Sequence, residues 1–206
     1  MKPIRLVKGF LTVGLWTLLS RIVGFVRDVM IAAYLGSGPI AEAFLIAQSL
    51  PNMFRRFFAE GAFNMAFVPM FAKKLEGGED AEGFARDAYW GMAGLLTVFS
   101  IIGHFLMPVL VLVMASGFAG DERFDLAVTL GQIAFPYILF ISLTALLSGV
   151  LNAMGRFLAT AVAPVVMNVF LVGAMFAAVW FEWDMGHALA WSVTISGVLQ
   201  LLFVWA

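Results

Sequence analysis

The chain has 206 residues, of which 63% are hydrophobic and 12% charged, with a net charge of -1 and no cysteine; its mean hydropathy is +0.99. This composition lies far outside that of soluble globular domains and marks an integral membrane protein. The near-zero net charge gives no global electrostatic case for a nucleic-acid partner, and the lack of cysteine excludes disulfides, haem thioether attachment and thiol catalysis.

Lys2, Arg5 and Lys8 precede the first apolar run, as in a signal peptide. The run has no clear small-x-small cleavage site and continues over about 10–35, enough for a bilayer crossing of about 20 residues, so it reads as an uncleaved first span. Inside it stands SRIVGFVRD, residues 20–28. At the centre of a membrane helix each Arg or Asp costs about 2.5–3.5 kcal/mol on insertion scales, so Arg21, Arg27 and Asp28 together oppose insertion by about 5–10 kcal/mol. Something must offset that cost. At about 100° per residue, Thr17, Ser20, Arg21, Gly24, Arg27 and Asp28 share one sector of the helix, while Leu15, Leu18, Ile22 and Phe25 point elsewhere. Gly24 leaves room in that sector for a ligand or a neighbouring helix. A buried pair between Arg21 and Asp28, on the same face, would be purely structural, but a single carboxylate does not neutralise both guanidinium groups.

The second segment, about 41–72, carries Glu42, Gln48, Pro51, Asn52, Arg55, Arg56, Glu60, Asn64 and Pro69, much of it in LPNMFRRFFAEGAFNMAFVP. A lipid-bathed helix does not tolerate this. Pro51 is expected to bend it and free a backbone carbonyl. At α-helical spacing Arg56 meets Glu60 one turn on and Asn52 one turn back, whereas Arg55 has no carboxylate at such a spacing. Arg21 and Arg55 both fall near the midpoints of their segments, and Arg27 about 9 Å further along, at about 1.5 Å per residue. The three arginines form a ladder along a polar route; the competing reading is a set of structural charges between helices.

Further hydrophobic segments follow at about 88–115, 126–151, 158–181 and 187–206, six in all, joined by short polar connectors. Their Gly and Ala residues suit close helix contact, and Pro108, Pro136 and Pro164 mark bends. His104, His187, Asn152, Arg156 and Asn168 read as packing, interfacial, connector or capping groups. Lys2, Arg5, Lys8, Lys73, Lys74, Arg86 and Arg156 fall on one side of this topology against Arg123 on the other, which makes the amino terminus cytoplasmic. Tyr34, Trp90, Trp180, Trp183 and Trp191 lie near span ends, where aromatic belts form. The last segment runs to Ala206 with no polar flank, as expected of a fragment of a longer transporter.

Arginines in a water-filled cavity are anion sites, and the planar guanidinium suits a diphosphate. HExxH, paired Asp motifs for a metal, Gly-rich phosphate loops and a nucleophile triad are all absent, so no enzyme activity, metal or cofactor is expected. The segments SRIVGFVRD, LPNMFRRFFAEGAFNMAFVP and FPYILFISLTALLSGVLNAMGRF closely resemble the amino-terminal half of the MurJ (MviN) family, lipid II flippases of the bacterial inner membrane within the MOP transporter superfamily. The resemblance covers essentially the whole chain.

It implies an all-α integral membrane fold: residues 1–206 forming one six-helix lobe of a MOP-type transporter, with a second, carboxy-terminal lobe missing. It further implies transfer of lipid II, an undecaprenyl-diphosphate-linked disaccharide pentapeptide, from the cytoplasmic to the periplasmic leaflet. By motif, the substrate-binding arginines fall on Arg21, Arg27 and Arg55, with Asp28, Gly24, Asn52, Arg56, Glu60 and Glu42 in support. Glu42 stands where Asp is frequent in the family. The rival readings are an exporter of another polyprenyl-diphosphate oligosaccharide, a multidrug exporter, which an Arg-lined cavity disfavours for cationic drugs, a membrane enzyme acting on lipid-linked phosphate, and a non-transporting assembly factor.

Overall fold

In hydrocarbon each backbone N–H and C=O must be satisfied within its own segment, and a chain this apolar meets that demand with helices. A computed structural model describes the backbone of residues 3–60 and 62–205 and the side chains of residues 13–58 and 65–205. Helix α1 spans Pro3–Leu35 and stops at Gly36, whose φ of +63° is a left-handed position suited to glycine. Helix α2, Pro39–Arg55, opens on a proline, whose fixed φ fits a first helical residue. A π-helical turn, Arg56–Glu60, follows, and then α3, Ala62–Gly77.

Asp80 caps α4, Ala81–Phe105, by accepting the Gly83 amide at 2.7 Å. The chain breaks at Leu106, ahead of Pro108, before α5, Met107–Met114. A short 3-10 turn, Ser116–Phe118, leads to α6, Glu122–Ala134, capped by Asp121. Pro136 separates α6 from α7, Tyr137–Ala153. Helices α8, Leu158–Phe181, and α9, Met185–Trp205, complete the fold. Among the described residues, 81–105, 122–153, 158–181 and 185–205 are long and apolar enough to cross a membrane.

The prolines act as expected at Pro108 and Pro136, where helices stop and restart. Pro164 is carried inside α8, and Pro51 inside α2, buried. The irregularity expected at Pro51 falls instead after Arg55, as the π turn. There the backbone hydrogen bonds run from i to i+5. The side chain of Glu60 lies outside the described residues.

A first core joins α2, α5, α6, α7, α8 and α9 through Phe44, Met107, Phe135, Leu171, Met175 and Leu189. A second, of Phe67, Phe71, Met92, Leu96, Leu143 and Leu146, ties α3 and α4 to α7. Close approach at the first core depends on Gly103, because a Cβ there would run into the Phe135 ring. Gly103→Val is therefore expected to destabilise the fold by about 1–3 kcal/mol, the usual cost of overpacking, read as a lower melting temperature in detergent. An unchanged melting temperature would contradict this packing of α4 on Phe135. Helix α1 packs chiefly along α8 and meets the first core only near its end, through Met30, Ile31 and Leu35. Leu15, Leu18, Ile22 and Phe25, the residues expected to face lipid, are exposed.

Candidate functional site

Where α1 meets α8, the cost of Arg27 is offset by two side-chain partners, Asp28 and Asn168. Its Nε donates to Asp28 Oδ1 at 3.0 Å and its Nη2 to the same oxygen at 2.7 Å. Its Nη1 donates to Asn168 Oδ1 at 2.6 Å. Asn168 in turn donates through Nδ2 to the Ser20 carbonyl at 3.1 Å, bridging one α1 turn to the next. The approach depends on Gly24, whose Cβ, if it had one, would stand 3.3 Å from Asn168 Nδ2. The room expected at Gly24 is thus filled by a neighbouring helix's side chain.

Two sequence readings change here. Asn168 is not a connector or capping group, as the sequence led us to expect, but a buried amide in the interior of α8 that holds an arginine of α1. Asp28 pairs with its neighbour Arg27, not with Arg21 seven residues away, because adjacent side chains on the wet sector reach each other without spanning two turns. A guanidinium has five N–H donors. The bonds to Asp28 and Asn168 fix the plane of Arg27 and leave donors that a ligand can use. Arg21 is exposed and makes no hydrogen bond or ion pair among the described residues.

Arg55 lies on the wall of a cavity of about 370 Å³, shared with α3, α7, α8 and α9. Thr144, Ser148, Asn152, Thr160 and Gln200 supply hydroxyls and amides to the same wall, and Thr160 donates to Asn152 Oδ1 at 3.0 Å. Asn152 is therefore a cavity residue as well as a connector group. Tyr137, buried on α7, donates to Met167 Sδ at 3.3 Å. Asn52 donates its amide to the Gln48 carbonyl at 3.0 Å, within its own helix. Arg56 is exposed and is not among the residues lining this cavity.

Glu42 stands elsewhere. Its Oε2 accepts from Arg123 Nη1 at 2.6 Å, linking the start of α2 to the start of α6. Arg123 also binds Asp121 through Nε at 2.8 Å and stacks over Phe118. The sequence marked Arg123 only as the lone basic residue of its side. Its hydrogen bond holds the Asp121 carboxyl below its ordinary value of 3.8. A depressed carboxyl contributes stability above its unfolded value and loses it as pH falls through the folded value. Acid melting curves below pH 3.8 are therefore expected to lose less stability in Arg123→Ala than in the parent chain. Identical acid profiles would contradict the tie. No cluster of His, Asp or Glu suited to a metal occurs among the described residues.

Four stretches among the described residues long and apolar enough to cross a membrane define a polytopic helical membrane protein. The profile of the family described as lipid II flippase MurJ matches residues 31–205. The chain is 47% identical, over 97% of its length, to the probable lipid II flippase MurJ of Rhizobium tropici. It is 44% identical, over 96%, to the lipid II flippase MurJ of Burkholderia cenocepacia. Each match takes in 39% of the relative, so the chain spans about two fifths of the curated relatives it matches. A solved structure, lipid II flippase MurJ in an inward closed conformation, superposes with a TM-score of 0.78 at 27% identity, over 94% of this chain and 41% of that one. The chain belongs to the MurJ family of lipid II flippases.

Proposed function

We propose that the chain forms the amino-terminal six-helix lobe of a bacterial inner-membrane flippase that carries lipid II from the cytoplasmic to the periplasmic leaflet, and that it catalyses no covalent chemistry. In this reading α1 is the first crossing, α2 to α3 the second, α4 to α5 the third, α6 to α7 the fourth, and α8 and α9 the last two. Arg21, Arg27 and Arg55 hold the diphosphate. Asp28 and Asn168 orient Arg27, and the hydroxyl and amide wall beside Arg55 receives polar groups next to the phosphates. A second lobe supplies the opposite wall of the cavity.

The observation that carries the reading is Arg55 on the wall of a cavity lined by hydroxyls and amides, in a chain of this family. Guanidinium forks match phosphate oxygens in pairs, with charge-assisted bonds about twice as strong as neutral ones. The test is a chimera in which this chain replaces the matching segment of the Burkholderia cenocepacia relative. Cells with the chimera as their only flippase are expected to grow. A chimera present at normal level that fails to support cell-wall synthesis would refute the reading.

Orientation has its own test. With the amino terminus cytoplasmic, single cysteines at Gly78 and Ala119 are expected to label from opposite sides of the membrane, Gly78 from the cytoplasm. Labelling of both from one side would remove the six-crossing topology.

A further inference from the structure

A cavity larger than the one at Arg55 lies elsewhere. It is a groove of about 970 Å³ between α8 and α9, on the face away from both cores. Its volume sits at the top of the range of about 300–1,000 Å³ usual for small-molecule sites. Small residues, Gly173, Ala174, Ala177 and Ala188, form its floor, and Phe170 and Trp191 stand along its sides, Trp191 54% exposed. Both flanking helices are long and apolar enough to cross a membrane. One end is different. There Glu182, Asp184 and His187 line the mouth beside Trp183, whose indole ring belongs at a membrane interface.

We infer that this groove binds a phospholipid with a primary-amine headgroup, its acyl chain in the small-residue channel and its ammonium at Glu182. The charge at the mouth selects the head. Asp184 is already engaged: it caps α9 through the His187 amide at 2.8 Å and meets the His187 ring at 2.6 Å. The Glu182 side chain makes no hydrogen bond or ion pair among the described residues. A carboxylate at headgroup level repels an anionic lipid and accepts N–H donors from an ethanolamine ammonium. A choline head, without N–H, offers only its charge. The inference is independent of lipid II transport and of the arginines.

The test is native mass spectrometry of this chain, purified in detergent with equal amounts of phosphatidylethanolamine, phosphatidylglycerol and phosphatidylcholine. The ethanolamine lipid is expected to be retained about tenfold over either of the others, the factor that about 1.4 kcal/mol of charge-assisted bonding supplies. Glu182→Gln should remove the preference, and Ala174→Leu, which fills the channel, should reduce retention of all three. Equal retention by the parent chain, or an unchanged preference in Glu182→Gln, would overturn the inference. The chain has no cysteine, so a single Ala174→Cys variant reports on a competing occupant. Disulfide-linked pairs formed in dilute proteoliposomes would make the groove a contact between copies and also overturn it.

Discussion

Arg55→Lys is expected to abolish growth on the chimera nearly as completely as Arg55→Ala, while Arg56→Lys is tolerated. The adjacent arginines occupy different surroundings: Arg55 is on the wall of the cavity, beside Thr144, Ser148, Asn152 and Gln200, and Arg56 is exposed outside it. A lysine keeps the charge but presents a point cation, without the planar fork that grips two phosphate oxygens at once. Losing a hydrogen bond to a charged group costs about 1.5–3 kcal/mol, or about 10- to 150-fold in affinity. Arg56→Ala should change the amount of protein more than the activity per molecule. Complementation with protein level measured in each variant checks this. Full growth on Arg55→Ala at normal level would remove Arg55 from the site, and sensitivity confined to Arg56 would invert the placement of α2 about its axis.

The second large effect is expected at Asn168, where two substitutions separate structure from charge. Asn168→Leu leaves Arg27 Nη1 without its 2.6 Å acceptor in a site where Asn168 itself is only 8% exposed. An unsatisfied buried donor costs about 1–3 kcal/mol, and more when charged, so the variant should lose both protein and function. Asn168→Asp keeps an acceptor for Arg27 but places a second carboxylate on it beside Asp28. The fold should survive, at near-normal protein level, while the local charge turns from balanced to negative and repels a diphosphate. Normal growth on Asn168→Asp would show that Arg27 acts only as a structural charge. Normal level and growth on Asn168→Leu would show that α8 does not hold it at all.

The sequence made the arginines visible because a charge inside an apolar span is costly enough to need a reason. It made Gly24 visible because a missing side chain on a polar sector must serve some close neighbour. Pro108 and Pro136 marked helix breaks through the same backbone chemistry that operates in any helix. What stayed hidden depends on partners distant in the chain. Asn168 is 141 residues from Arg27, and Glu42 is 81 from Arg123. An isolated Asn or Glu carries no trace of such a partner, and local spacing rules assigned them to caps or to the arginine cluster. Tyr137 and Gln200 were overlooked for a related reason, since neither is charged and each looks ordinary in an apolar helix.

The central claim, that Arg21, Arg27 and Arg55 hold a diphosphate, is tested most directly by binding to this chain of undecaprenyl diphosphate against undecaprenyl monophosphate, followed by native mass spectrometry. The diphosphate should be retained over the monophosphate, with the preference reduced in each of Arg21→Ala, Arg27→Ala and Arg55→Ala and lost when all are replaced together. Equal retention of the two lipids, or an undiminished preference in the combined variant, would contradict it.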